Sequence, residues 1–304
     1  MELRHLRYFV AVAEEKNFTR AAKRLYIAQP PLSRQIQQLE EELGVDLIEK
    51  GSRPLRLTEA GEFFQAHAAE LLAKVSELKT MTQRVGKVER TLSIGFVAST
   101  LYGLLPEIVR RFRNRYTNVD VTLNELTTME QIRALKEGLI DVGFGRVKAE
   151  DPNVRRIVLR EERLIVALPI GHALAGSEET LRLVDLQNEN LIVYPKVPRP
   201  SFADQVLDLI RVHAITPRKV LEVRELQIAV GLVAAGEGVA VVPESVHGMK
   251  RKGVHYRPLA DRQAVSPVMF SVRKLDKSEE LQNMLAVIYE IYDEVGIPHV
   301  KETL

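Results

Sequence analysis

The sequence predicts a multidomain chain: an α-rich winged helix-turn-helix unit with a long linker helix, followed by an α/β region. Three observations carry this reading. Residues 17–43 read as two short helices around a tight turn, residues 58–85 hold one sustained heptad seam, and from Thr91 strand-like runs alternate with helical ones. With 304 residues, 45% of them apolar, the chain can bury real cores, and its length suits two or three domains.

In the first unit Leu3, Leu6, Phe9, Val10 and Ala13 are spaced as the inner stripe of a supporting helix. Ala21 and Ala22 are small enough to let two helices cross closely. Tyr26-Ile27-Ala28 makes the turn, and Pro30 suits the first turn of the next helix, where its missing N–H would have been unpaired anyway. There Leu32, Ile36, Leu39 and Leu43 face inward at helical spacing, leaving Ser33, Arg34, Gln37 and Gln38 outward. Hydroxyl, guanidinium and amide groups together can read base edges and hold phosphates in a major groove. A helical hairpin with a merely polar surface is the competing reading. Gly44 suits a helix C-cap, and two extended runs around a Gly51-Ser52-Arg53-Pro54 tip read as a wing. Arg53 at that tip is either a minor-groove or phosphate contact or a solvated turn arginine.

Thr58 is placed to cap a long helix, with Glu59 at its positive end. Phe64, Ala68, Leu71, Val75, Leu78, Thr82 and Val85 alternate spacings of four and three, a heptad seam. Such a stripe needs a partner. The small first unit has little surface to cover it, so a helix from a second chain is expected. Gly86 and the charged residues 87–90 then form a linker.

Beyond it, strands are predicted at 92–97, 119–126, 140–144, 164–168, 191–194, 220–223 and 239–242. Helices are predicted at 104–116, 129–137, 202–213 and 226–235. This βαβα rhythm predicts α/β layers with parallel sheets, where ligands sit at the C-terminal ends of strands. Ser99 and Thr100 follow the first such strand and Thr128 the second, each just before a helix. A hydroxyl beside the unpaired N–H groups of a helix start can receive a carboxylate. From the residues alone, plain N-caps are the favoured reading of Ser99 and Thr128. Arg146, Arg160 and Glu162 are polar groups next to predicted strands, where a structural ion pair is the plain reading.

Composition excludes several classes. A net charge of +2 announces no polyanion partner, and residues 16–56 hold eight Lys/Arg against five Asp/Glu, a local excess of three. Without cysteine there is no disulfide or thiolate chemistry. The seven histidines show no metal-ligand spacing. There is no nucleophile elbow and no P-loop, and Gly236-Glu237-Gly238 lies between a helix and a strand, where capping explains it. Neither an enzyme nor a metal site is expected. The first residues begin an amphipathic helix rather than a signal peptide, and no apolar run approaches a membrane span, so a cytoplasmic protein is expected.

Ala21-Ala22, Leu25, Gln29-Pro30, Ser33-Arg34-Gln35-Ile36, Leu39-Glu40, Leu43-Gly44, Leu47, Glu49-Lys50, Arg53-Pro54 and Leu57-Thr58-Glu59-Ala60-Gly61 resemble the N-terminal signature of the LysR-type transcriptional regulators. That likeness covers residues 1 to about 64. Segments 1–12, 101–106, 141–146 and 231–238 are similar to the muconate- and benzoate-responsive subgroup of that family. The resemblance implies a winged helix-turn-helix domain at 1–58 and a dimerisation helix and hinge at 59–90. It further implies a periplasmic-binding-protein-like (type II) effector domain, with one subdomain at 91–161 and 266–304 and the other at 162–265. The crossings fall near Glu161-Glu162 and Ser266-Pro267. DNA contacts are implied at Gln29, Pro30, Pro31, Ser33, Arg34 and Arg53. Effector contacts are implied at Ser99, Thr100 and Thr128 and, opposite, at Pro200, Ser201 and Phe202. The subgroup carries asparagine where this chain has Ser201, so only the backbone donor is carried over there. Arg146, Arg160, Glu162 and Tyr292 match a second, more apolar effector pocket. The implied partners are a dyad-symmetric double-stranded DNA site, cis,cis-muconate and benzoate as effectors, RNA polymerase, and further copies of the chain in a dimer or a tetramer. The implied role is an activator of aromatic-compound degradation genes without a cofactor.

Overall fold

The computed structural model describes residues 1–52, 54–85, 90–176 and 181–304, which form two compact units, 1–86 and 87–304. Arg53 and the linker residues 86–89 lie outside the described residues.

The first unit is built from α1 (Leu3–Glu15), α2 (Phe18–Arg24), α3 (Gln29–Leu43) and α4 (Glu59–Val85). Asn17 caps α2 by accepting from the Arg20 N–H at 3.0 Å, and Gly44 ends α3 in the left-handed region at φ +70°. Phe9, Val12, Ala21, Ala22, Leu32, Ile36 and Leu39 are buried together. Two residues expected inside are not: Leu3 is 43% and Leu43 37% exposed. Each sits at a helix end, beyond the reach of the three-helix core, where the periodic pattern no longer implies burial. The wing is slighter than two strands, a single antiparallel bridge between Ile48 and Leu57. The Glu40 carboxylate ties it to α3 by accepting from the N–H groups of Leu47 (2.7 Å) and Ile48 (3.0 Å). Thr58 caps α4 through the Gly61 N–H at 3.0 Å. Gly61 is required there, since a Cβ would stand 2.0 Å from the Leu47 carbonyl oxygen.

The seam along α4 divides. Phe64 packs edge-on against Phe9 (5.3 Å) and Ala68 is buried, so its first turns cover the unit's own core. Leu71, Val75 and Leu78 remain 48%, 37% and 67% exposed.

The second unit contains β1 (Arg90–Phe96), α5 (Leu105–Arg115), β2 (Val119–Glu125), α6 (Thr128–Lys136), β3 (Val142–Gly145), β4 (Val154–Pro169), β5 (Asn190–Val193), α7 (Phe202–Val212), β6 (Lys219–Glu222), α8 (Leu226–Ala234), β7 (Ala240–Pro243), β8 (Val254–Pro258), β9 (Val265–Arg273) and α9 (Glu279–Glu294). Its sheets are mixed rather than parallel. β1 is parallel to β2 and β3, but β9 is antiparallel to β3, and β4 is antiparallel to β7, β8 and β9. The cause is the long strand β4. Its first part, Val154 to Arg163, pairs with β9, and from Leu164 onward it pairs with β7 and β8. One strand thus serves two subdomains, ordered β2-β1-β3-β9-β4 and, through the Leu191–Val239 bridge, β6-β5-β7-β4-β8. Each has its own core, one around Ile94, Phe112, Phe144, Phe270 and Ile288, the other around Val166, Ile192, Val206, Val230 and Val241. No described helix is long and apolar enough to cross a membrane.

Candidate functional site

The ends of β1, β2, β3 and β5 meet at one cleft of about 450 Å³ between the two subdomains. Ser99 and Thr128 line it from one side, Pro200, Ser201 and Phe202 from the other, and Arg146 follows β3 into it. Thr100 is not in this group. Its hydroxyl donates to the Val97 carbonyl at 2.7 Å, and it lines a separate cavity of about 20 Å³.

Neither Ser99 nor Thr128 is an N-cap. Val97 precedes the short 3-10 turn that holds Ser99, and the cap of α6 is Thr127, which exchanges hydrogen bonds with Glu130 in a capping box. Both hydroxyls are therefore released for other work. The Ser99 Oγ accepts from Arg146 Nε at 2.7 Å, and the Thr128 Oγ1 accepts from the Arg146 N–H at 3.4 Å. As acceptors in these contacts, both keep a proton to donate. Gly145 makes room, since a Cβ there would stand 2.8 Å from the Thr128 hydroxyl.

Ser201 differs from the expectation. Its backbone N–H donates to the Asp204 carboxylate at 2.6 Å and its hydroxyl to the Pro195 carbonyl at 2.8 Å. The donor carried over from the resemblance is thus spent inside the protein. What α7 still offers the cleft is the N–H of Phe202, in the first turn, where helix N–H groups have no intrahelical partner.

Behind the hydroxyls lies a buried charge cluster. One Glu162 oxygen takes Arg146 Nη2 at 2.7 Å and Arg160 Nη2 at 3.2 Å; the other accepts the Ser245 N–H at 2.7 Å. Burial alone would raise the Glu162 carboxyl. The two guanidiniums and the Ser245 N–H outweigh it and hold the group below its ordinary range. Two cations share one anion, so the cluster carries a net positive charge. Arg160 stands 6.0 Å from the centre of the buried Tyr292 ring, and both line the small cavity. About 20 Å³ is room for a water molecule and far too little for an aromatic acid.

Sequence reasoning passed over Tyr194 and Arg224, which also line the cleft. Tyr194 ends a predicted strand, so the strand-end rule that found Ser99 and Thr128 would have found it too.

On the first unit, Gln29, Pro30, Pro31 and Arg34 are exposed along the outer face of α3, with Ser33 half-buried beside them. The Gln29 amide donates to the Ser33 hydroxyl at 2.8 Å, and Arg34 makes no ion pair among the described residues.

A helix-turn-helix unit joined to a two-subdomain α/β unit with a ligand-sized cleft defines a ligand-responsive DNA-binding regulator. Residues 3–62 match the bacterial regulatory helix-turn-helix proteins of the lysR family, and residues 86–291 match the LysR substrate binding domain. The chain belongs to the LysR family of transcriptional regulators. It is 52% identical to the probable cat1 operon transcriptional activator of Acinetobacter lwoffii over 295 residues, 97% of each chain. It is 47% identical to BenM of Acinetobacter baylyi over 293 residues, 96% of each chain. The full-length BenM structure superposes with a TM-score of 0.67, covering 99% of this chain and all of that one. The BenM effector binding domain with its effector benzoate gives 0.68 at 40% identity, covering 72% of this chain and 99% of that domain.

Proposed function

We propose that this regulator activates genes of aromatic-compound degradation and responds to cis,cis-muconate, with benzoate as a further effector. The single observation that supports an anionic effector is the net positive, buried Arg146–Glu162–Arg160 cluster beside two hydroxyls with protons to donate. An isolated buried charge is costly, and a carboxylate entering the cleft would balance it. One carboxylate lies near Ser99 and Thr128 and the other near the start of α7 at Phe202. A second molecule at Arg160 and Tyr292 requires that the small cavity open first. The relatives support the chemical class: BenM has benzoate as an effector.

In this reading residues 1–58 bind a dyad-symmetric DNA site through Gln29, Pro30, Pro31, Ser33, Arg34 and Arg53, and α4 pairs with a second copy through Leu71, Val75 and Leu78. Residues 91–161 with 266–304, and 162–265, form the two effector subdomains. The protein is a cytoplasmic homotetramer that acts with RNA polymerase, and it is not an enzyme. Calorimetry on the full chain with muconate, benzoate and succinate is the test. Heat with muconate that succinate does not suppress is expected. No heat with muconate, or equal competition by succinate, leaves a LysR-type regulator with a different small-carboxylate effector.

A further inference from the structure

The Tyr194 hydroxyl is a buried polar atom with no hydrogen-bond partner among the described residues, and so is Nη1 of Arg146. Both residues line the cleft, Tyr194 from the subdomain of β5 and Arg146 from the subdomain of β3. The Tyr194 ring is held in place by Phe202 at the start of α7, with centroids 5.4 Å apart. Burial pushes its phenol well above the ordinary value, so it stays neutral and keeps its proton. A buried donor left unpaired is unfavourable, and natural structures leave few of them. Arg146 is close enough to act electrostatically on the Tyr194 phenol, and a phenol O–H and a guanidinium N–H so placed can be jointly satisfied by one anionic oxygen that reaches both. Tyr256 carries another buried hydroxyl without a hydrogen-bond partner among the described residues, close enough to Tyr194 for the two phenols to interact, and it is not among the residues that line the cleft. A water molecule shared by the two tyrosines is the competing arrangement.

We propose that Tyr194 is a ligand-contacting, specificity-determining residue, whose hydroxyl and Arg146 Nη1 together hold one effector carboxylate across the two subdomains. The proposal rests on the carboxylate-effector reading above. It assigns Tyr194 the task of recognising a charged oxygen from the side opposite Ser99 and Thr128, so that one carboxylate engages both subdomains at once. Esterifying that carboxylate removes the charge and crowds the phenol.

Tyr194→Phe removes the hydroxyl alone and keeps the ring against Phe202. The full chain and this variant are compared by thermal melting without ligand and by calorimetry with cis,cis-muconate, with Tyr256→Phe as control. Without ligand the variant should melt at or above the wild-type temperature, because the atom removed had no partner. Muconate should bind it about ten- to a hundredfold more weakly, the range for a hydrogen bond to a charged group, while Tyr256→Phe binds as wild type. Equal muconate binding by Tyr194→Phe, or a lower melting temperature without ligand, would mean that the hydroxyl is satisfied within the protein. That overturns the proposal and leaves the carboxylate reading intact. Wild-type protein that binds neither muconate nor benzoate removes the carboxylate reading and this inference with it.

Discussion

Glu162→Gln tests the charge balance of the cleft. Arg146 and Glu162 are each 3% exposed and Arg160 14%, so little solvent screens the three. The variant would leave both guanidiniums without a buried counter-charge. Removing one partner of a buried pair costs about 3–5 kcal/mol, and the retained amide oxygen recovers about 1 kcal/mol through one hydrogen bond. The unliganded protein should therefore lose about 2–4 kcal/mol. In a unit spanning residues 87–304 that lowers the melting temperature by roughly 4–16 °C. An anionic ligand returns the missing charge, so muconate should raise the variant's melting temperature more than the wild type's and bind it more tightly. Thermal melts with and without muconate read both effects. Equal melting of the two unliganded proteins would mean that Glu162 does not offset the arginines. A smaller muconate shift in the variant would mean that the ligand does not feel them. Acidity gives a second readout. The Glu162 carboxyl lies below its ordinary 4.5 when folded, so its contribution is complete above that value and is lost as pH falls through the folded value. Wild-type stability should decline more steeply than the variant's on acidification below about pH 4.5.

Three further outcomes are expected. Ser99→Ala and Thr128→Ala should each weaken muconate by about 1.5–3 kcal/mol in calorimetry, without abolishing binding, because helix N–H groups and Arg146 remain; unchanged affinity would place the ligand elsewhere. Arg34→Ala should cost about 1–3 kcal/mol on the specific DNA site in mobility-shift titrations, and an equal loss on random DNA would make Arg34 a phosphate contact. Leu71→Asp with Leu78→Asp should halve the sedimenting mass by burying carboxylates at an apolar seam, and unchanged mass in a folded protein would remove α4 as the pairing element.

Much of the element order was legible because local periodicity governs it. α3, α5 and α7 fall close to their predicted places, since each needs only its own apolar stripe. Strand direction was not legible. The run 164–168 reads as a buried strand, but nothing in it says that the same strand began ten residues earlier beside β9. Pairing between residues a hundred positions apart leaves no local period, so the parallel-sheet expectation failed there. α9 was within reach: Leu281, Leu285, Ile288 and Tyr292 recur at helical spacing and are all buried. On α4 the heptad pattern was readable, but its division between intrachain cover and an open face depends on how far the first unit extends.

At the candidate site the sequence located the residues better than it described their work. Strand ends followed by helices brought Ser99, Thr128 and Phe202 to one cleft, as α/β topology requires. Which of two adjacent threonines is the cap was decidable from spacing, because Thr127 stands three residues before Glu130 and completes a capping box. That assignment frees Thr128. The proposed anion preference is of another kind. Arg146, Arg160 and Glu162 are unremarkable in a chain of net charge +2, and at strand edges they could as well have been solvated. Folding places two cations on one carboxylate, withdraws Arg146 and Glu162 from water with Arg160 only 14% exposed, and leaves an Arg146 N–H without a partner among the described residues. The proposed preference for a carboxylate thus rests on the charge balance of that cluster, and its most direct test is whether a ligand bearing none is refused.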